Sequence, residues 1–359
     1  MKETRVYKDD THGLRIQLHN VPIPTPGPDQ VLIKVAVSGS NPKDWKFLSV
    51  FPDKNGFNSG DDIAGVVKSV GSEATWAFKP GDRVAAFHTM MSPSGSYAEY
   101  ALAPATTTFH IPPGTSFEEA ATIPLCAMTA VLGLFSNLRL PEPWVTASLV
   151  RTRVQQGGII VYGAASATGA FATKLLVHAD IHPIFCVAGS GIAFVKTLID
   201  PAKGDQIIDY REGNDAIVKK LAASVPAGQT CAYAYDAVSD HQSTTNIAQV
   251  LDPHGHITLL WPLGEYPSIP SSVHQTKISV AVVHEDKNFR EFGYAWFRLF
   301  GYGLQQGWLT GHPYEVCKDG LQGVETGLRN LMNGKASAVK YVFRVADTPG
   351  LTESPGIQI

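Results

Sequence analysis

Charge is scarce in this chain: Asp, Glu, Lys and Arg make up 17% of its 359 residues, 29 basic against 32 acidic, for a net charge of −3. That balance leaves no basic surface for nucleic acid, and no Lys/Arg cluster interleaved with aromatics occurs. Cysteine is rarer still. Cys126, Cys186, Cys231 and Cys317 lie at least 45 positions apart and form no CxxC, which excludes a zinc knuckle and a disulfide frame. A reducing cytoplasm is the compartment to expect. The opening "MKETRVYKDD" is charged from its second residue, so neither a signal peptide nor a membrane anchor is expected there. The one long uncharged stretch, Val154 to Thr173, holds four glycines and is expected as a buried strand, turn and helix, not a membrane span. Internal repeats and low-complexity tracts are missing too. What remains is an ordinary folded composition, 44% hydrophobic, long enough for two domains.

The first third carries short strands. In "QVLIKVAVSGSNP" Val31, Ile33, Val35 and Val37 alternate with Leu32, Lys34, Ala36 and Ser38 before a Ser-Gly-Ser-Asn-Pro stop. "DIAGVVKSVG", "KPGDRVAAF" and "GSYAEYALAP" add three more, and strands at this spacing predict a small barrel. Helix begins within "PPGTSFEEAATIPLCAMTAVLGLF", where Thr115 and Glu118 have capping-box spacing. After the proline loop "LRLPEPW", strand-like runs ("GGIIVYG", "HPIFCVAG", "DQIIDY", "CAYAYDAV", "HITLLWPLG") alternate with helical ones. That alternation predicts an α/β architecture with a parallel, doubly wound sheet. From about Arg290 to Arg344 the chain reads as a long helix, a short helix and a strand.

In "IIVYGAASATGAFATKLL" an apolar strand meets a helix through Gly163-x-x-Ser166-x-x-Gly169. Such a turn aims backbone N–H groups at a pyrophosphate, with the positive helix N-terminus behind it. Ser166 stands where a glycine is common. A ligand-free turn has the same look, but the alternating strands and helices around it favour a dinucleotide. An NAD site ends its next strand on an acid; here that strand ends Ala188-Gly189-Ser190. Lys196 follows in the next helical segment, and the strand after that ends Asp209-Tyr210-Arg211. A hydroxyl, a cation and a phenol suit a 2′-phosphate, which predicts NADPH.

Taken in their order, "NPKDW", "GDDIAGVVKSVG", "KPGDRVAAF", "GSYAEY", "YGAASATG" and "DYREG" resemble the medium-chain dehydrogenase/reductase superfamily over nearly the whole chain. The resemblance implies a GroES-like β-barrel catalytic domain (1–128, completed by 291–359) and a Rossmann domain (129–290). The zinc-dependent branch has cysteine, histidine and cysteine where this chain has Asn41, Asp61 and Leu125. It also carries a four-cysteine lobe near positions 88 to 100, where "HTMMSPSGSYAEY" has none. One Asp pair, Asp61 and Asp62, is too few ligands for a hard cation, so the two are expected to orient the loop and no metal is expected. In this the chain resembles the zinc-free reductases of the quinone oxidoreductase type.

"LGLFSNLRLPEPW", "YGAASATG", "DYREG" and the tail "GWLTGHPYEV…GLQGVETGLRNLMNGKASAVKYVFR" are similar to the fungal trans-acting enoyl reductases and their ToxD-like relatives. Those enzymes serve polyketide synthases that lack a working reductase domain. The likeness implies that Lys43, Asp44, Trp45 and Lys46 touch NADPH, with Lys46 near the reacting carbons. It also implies that Ala165, Ser166, Ala167, Thr168, Ser190, Lys196, Tyr210, Leu260, Trp261 and Ser337 line the cofactor, beside the Gly163 turn. The helix from Thr129 to Ser136 would border the acyl substrate. Lys43 and Trp45 stand for smaller polar residues, and Trp261 for a common Asn.

Without a metal a ketone lacks its usual electrophile, whereas an activated C=C needs less help. The Lys46 ammonium or the Thr129 hydroxyl is the expected donor to the enolate oxygen; the alternatives are a solvated barrel lysine and a locally packed threonine. The expected activity is NADPH-dependent reduction of an α,β-unsaturated acyl thioester supplied by a polyketide synthase. A general quinone or alkenal reductase, and a non-catalytic NADPH-binding protein, are the alternatives. Tyr314-x-x-x-Lys318 has the spacing of the short-chain reductase pair, but it follows Gly-His-Pro beyond the Rossmann segment and receives no role. A monomer or homodimer is expected.

Overall fold

The structure, a computed structural model, describes residues 1–145 and 149–351. It opens with a hairpin of β1 (Lys2–Asp9) and β2 (Gly13–Asn20). Then come β3 (Gln30–Gly39), α1 (Lys43–Val50), β4 (Asp62–Val70), β5 (Arg83–Phe87), β6 (Tyr100–Pro104) and β7 (Thr108–His110). Next are α2 (Phe117–Ala120), α3 (Pro124–Val131), which runs on as a π-helix over Leu132–Asn137, and α4 (Leu149–Gly157). Strands and helices then alternate: β8 (Ile159–Tyr162), α5 (Ala167–His178), β9 (Ile184–Ala188), α6 (Ile192–Val195), β10 (Gln206–Asp209) and α7 (Asn214–Ser224). The series continues with β11 (Cys231–Asp236), α8 (His241–Ala248), β12 (Leu251–Leu259) and β13 (His274–Lys277). The tail supplies α9 (Val282–Glu285), α10 (Lys287–Gln306), β14 (Tyr314–Cys317), α11 (Val324–Met332) and β15 (Lys340–Arg344). The chain divides into two units, Met1–Leu125 with Ala281–Ile359, and Cys126–Val280.

In the first unit the main sheet has the order β14-β15-β3-β4-β5-β7, with β6 also paired to β3. β3 is its centre. Neighbours cover it so fully that only Gln30 and Lys34 keep partial exposure, and the polar alternation expected of a half-solvated strand gives way to burial on both faces. Val31, Ile33, Ile63, Val84 and Phe343 anchor the core between the strands. β14, which carries Tyr314, pairs in parallel with β15; the sequence shows no period there to announce it. The helix cap lies one residue later than Thr115 and Glu118 suggest. Ser116 accepts the Glu119 amide (3.1 Å) and α2 starts at Phe117. Thr115 is held back in a turn, its amide on the Pro112 carbonyl (3.0 Å) and its own carbonyl under Arg83 (2.7 Å).

In the second unit six parallel strands stand in the order β10-β9-β8-β11-β12-β13. Counted within the unit that is three-two-one-four-five-six, the doubly wound order, with its switch point between β8 and β11. Ile160, Phe185, Val187, Leu221 and Ile257 fill its core. Val154 to Thr173 covers the end of α4, β8, the turn and the first half of α5, as its glycines suggest. Among the described residues one span, Phe117–Asn137, is long and apolar enough to cross a membrane, and 89% of its apolar window is buried in the protein.

Candidate functional site

The polar centre of the first unit forms where β3 hands over to α1 beside the start of β4. Gly39 permits it: a Cβ there would stand 2.3 Å from the Ala121 carbonyl oxygen. The Asn41 amide donates to the Asp44 carboxylate (2.8 Å), which closes the first turn of α1. Lys43 points inward, 12% exposed, and its ammonium pairs with Asp44 (2.8 Å) and Asp61 and donates to the Ser59 carbonyl. The other Asp61 oxygen meets His88 Nδ1 (2.7 Å), and the other Asp44 oxygen accepts the Tyr97 hydroxyl (2.5 Å). Asp62 faces a different set. It accepts the Leu125 amide (2.7 Å), Asn41 Nδ2 (2.7 Å) and Lys340 Nζ (2.6 Å). Lys340 also donates to Asn41 Oδ1 (3.1 Å) and, at 3.5 Å, to the Thr122 carbonyl.

Burial opposes the charges of Lys43, Asp44 and Asp61, and their partners offset it to different extents. Burial pushes the Asp44 carboxyl up to about 6, although Lys43 pulls the other way. Burial also works against the Asp61 carboxylate, but Lys43 and His88 outweigh it and hold Asp61 below the usual carboxylate range. Lys43 loses to burial and gains more from Asp44 and Asp61, so its ammonium is held above the ordinary range. At the edge of the network His284 donates from Nε2 to Thr107 Oγ1 (3.0 Å), whose own hydrogen goes to the Phe87 carbonyl (2.9 Å). Burial pushes the His284 pKa down to about 4. Three residues beyond Lys43, Lys46 is half-buried, with Nζ 5.9 Å from the Trp45 ring centroid, and burial lowers its pKa. Trp45 itself packs on the core of the unit, and Ser337 is exposed between α11 and β15.

The second unit has an open counterpart at the carboxyl ends of its strands. Gly163, at φ +79°, turns the chain out of β8, and its amide and that of Ala164 both reach the Val187 carbonyl (3.0 Å each). Ser166 caps α5 by accepting the Gly169 amide (3.1 Å), which gives a reason for serine where a glycine is common. A Cβ on Gly169 would stand 2.3 Å from the Gly163 carbonyl oxygen, so helix and turn meet closer than any side chain allows. The first amides of α5, at Ala167 and Thr168, have no carbonyl of their own helix to bond, the kind of helix end that suits an anion. After β9, Ser190 is exposed. The Tyr210 ring, half exposed after β10, lies over Gly189, where a Cβ would come within 2.4 Å of it. Lys196 is exposed at the end of α6, while Arg211 is bound to its neighbour Asp209 (2.6 Å).

After β12, Leu260 donates its amide to Ser239 Oγ (2.7 Å), and the Trp261 carbonyl accepts the Tyr266 hydroxyl (2.8 Å). Asp236, ending β11, accepts from Ser239 N, Val238 N and Ser243 Oγ; burial nonetheless pushes its pKa up to about 6. Thr129 is buried on α3. The structure thus gathers Gly163, Ala165 to Thr168, Ser190, Tyr210, Leu260 and Trp261 at one end of the parallel sheet, and it gathers Lys43 and Asp44 with Asp61 inside the other unit. Sequence reasoning missed Lys340, His88, Tyr97 and His284. Among the described residues, no group of three or more His, Cys, Asp or Glu side chains is arranged to hold a metal ion.

Residues 27–113 match the alcohol dehydrogenase GroES-like domain family. The chain is 43% identical over 324 residues to trans-enoyl reductase fsr4 of Gibberella fujikuroi, covering 90% of this chain and 92% of that protein. It is 28% identical over 357 residues to trans-enoyl reductase resD of Aspergillus sclerotiorum, covering 93% and 98%. The fold is that of the CurK enoyl reductase crystal structure (TM-score 0.73, 18% identity, 94% and 98% covered). It is also that of a mycobacterial structure complexed with NADPH (TM-score 0.71, 22% identity, 95% and 99% covered).

Proposed function

This chain belongs to the trans-enoyl reductase family, and we propose that it uses NADPH to reduce the activated C=C bond of an α,β-unsaturated acyl thioester. The observation that carries this reading is what stands at the positions of the zinc ligands. Asn41 is bonded to Asp62 and Lys340, Asp61 is paired with the Lys43 ammonium, and Leu125 is aliphatic. A tetrahedral zinc wants sulfur and imidazole donors, so this set does not fit one. With a lysine ammonium in the inner position, the reaction left is one whose acceptor is already polarised by conjugation.

The second unit fits a dinucleotide. Gly169 lets α5 pack directly on the Gly163 turn, where a Cβ would clash with the Gly163 carbonyl oxygen, and the N-terminal amides of α5 suit a pyrophosphate. Ser190, Lys196 and Tyr210 suit a 2′-phosphate, and Leu260 and Trp261 would border the rest. When bound, NADPH would supply hydride to the β-carbon, and a proton from solvent would complete the α-carbon of the saturated thioester. The chain's own part is to hold charge: Lys46, or Thr129, donates a hydrogen bond to the enolate oxygen, a contribution of about 3 kcal/mol in a dry site. Within the barrel unit the Lys43 ammonium is paired with Asp44 and Asp61. A polyketide synthase is the proposed supplier of the thioester.

The test is a panel of enoyl thioesters, simple enones, quinones and ketones, followed by NADPH oxidation with products identified by mass. Saturated thioester as the best product supports the reading. Fast quinone turnover with inert thioesters would move the assignment to a general quinone reductase.

A further inference from the structure

We propose that Lys340, acting with Asp62 and Asn41, is a positioning residue for Lys46. The proposal rests on the role given to Lys46 above. Asn41 stands at the entrance to α1, five residues before Lys46, and is held at three points. Its amide goes to Asp44, its Nδ2 to Asp62 and its Oδ1 to Lys340. Lys340 comes from β15, 299 residues further along, and is 3% exposed. Its stem runs over Gly39, the last residue of β3, where a Cβ would stand 3.1 Å from Lys340 Cε. The tail of the chain therefore reaches under the start of α1 and fastens it.

A structural ion pair alone does not explain this arrangement. Apolar residues of similar volume often stabilise a core as well as a buried pair does or better. What they lack is direction. The Asp62 carboxylate accepts from three separate segments, at Asn41, Leu125 and Lys340, and Lys340 neutralises it where no water reaches. The entry of α1 is thereby fixed in position and orientation, and with it the half-buried setting of Lys46 one turn later. Lys340 makes no contact with substrate in this proposal; it acts through Asn41 and α1.

The test uses the full chain as wild type, K46A, K340M and the K340M/K46A double variant, with NADPH and the crotonyl thioester of coenzyme A. Positioning predicts that K340M lowers kcat about tenfold while the KM for the thioester changes less than about threefold. In the K46A background the same substitution should change kcat by less than about twofold, because the group it positions is gone. Losses that multiply, or a K340M kcat equal to wild type, would overturn the proposal. N41A, which keeps the Lys340–Asp62 pair, carries the same prediction in case K340M does not fold.

A second readout needs no turnover. Pulse acetylation followed by peptide mass measures the reactivity of Lys46 against exposed Lys68 in the same molecule. A change of about threefold or more at Lys46 alone in K340M or N41A supports positioning, and an unchanged ratio overturns it. A wild-type protein inert toward the thioester would count against the proposed function and leave this second readout to decide about Lys340.

Discussion

The two units of this protein treat polar groups in opposite ways. In the first, Lys43 and Lys340 are spent on Asp44, Asp61 and Asp62, and Tyr97, His88 and Asn41 fill the remaining bonds. In the second, Ser190, Lys196 and Tyr210 stand exposed around a helix N-terminus whose first amides have no partner in their own helix. The closed network fixes geometry and has little left to offer a ligand. The open end keeps its donors outward. Changes in the first should therefore appear as stability and as the geometry the network fixes, and changes in the second mainly as cofactor affinity.

The sharpest way to break that contrast is K43A. It leaves Asp44 and Asp61 buried without their shared cation, a loss of roughly 3–5 kcal/mol. Urea unfolding should show it; a loss under about 1 kcal/mol would mean that the network is no more closed than a surface pair. K196A probes the other region. It should weaken NADPH by roughly 1.5–3 kcal/mol, about ten- to a hundredfold, with NADH binding and the unfolding midpoint nearly unchanged. Equal weakening of both cofactors in a fluorescence titration would show that Lys196 does not sense the 2′-phosphate.

A further effect is expected in the pH response of the closed region. His284 titrates near 4 in the fold, below its ordinary value of 6.5, so the unfolded chain takes up the proton first. The stability this gives is complete above pH 6.5 and drains away toward pH 4, by about 2 kcal/mol between pH 6.5 and 5. H284Q, which keeps a donor for Thr107, should flatten that slope in unfolding curves. An equal slope in wild type and variant would place the pH sensitivity elsewhere.

The open region was legible because its signals are local. A strand, Gly163, Ser166 and Gly169 lie within eleven residues, and glycine spacing reports the backbone directly. The closed region was not, because its partners are far apart in sequence. Lys340 lies 278 positions from Asp62, and a lysine in "SAVKYVFR" reads as an exposed strand residue. That Asn41, Asp61 and Leu125 stand where the zinc-dependent branch has its ligands was visible; that Lys340, His88 and Lys43 bond to the first two was not. Lys43 shows the difference. Family likeness directs it toward the cofactor, and its ammonium also pairs with Asp44 and Asp61, which no local signal announces. The Thr115 cap misses by one residue for a similar reason, since Arg83 and Pro112 hold Thr115 back from the helix.

The central claim is that a lysine-neutralised network stands where metal-dependent relatives hold zinc, so that hydride goes to carbon conjugated with the carbonyl and not to the carbonyl itself. The most direct measurement is the position of the label after chelator-stripped protein reduces a crotonyl thioester with NADPH deuterated at C4. Deuterium at the β-carbon of a saturated thioester, at a rate that added zinc does not raise, is the predicted result. Deuterium on a former carbonyl carbon, or turnover that returns only with zinc, would contradict it.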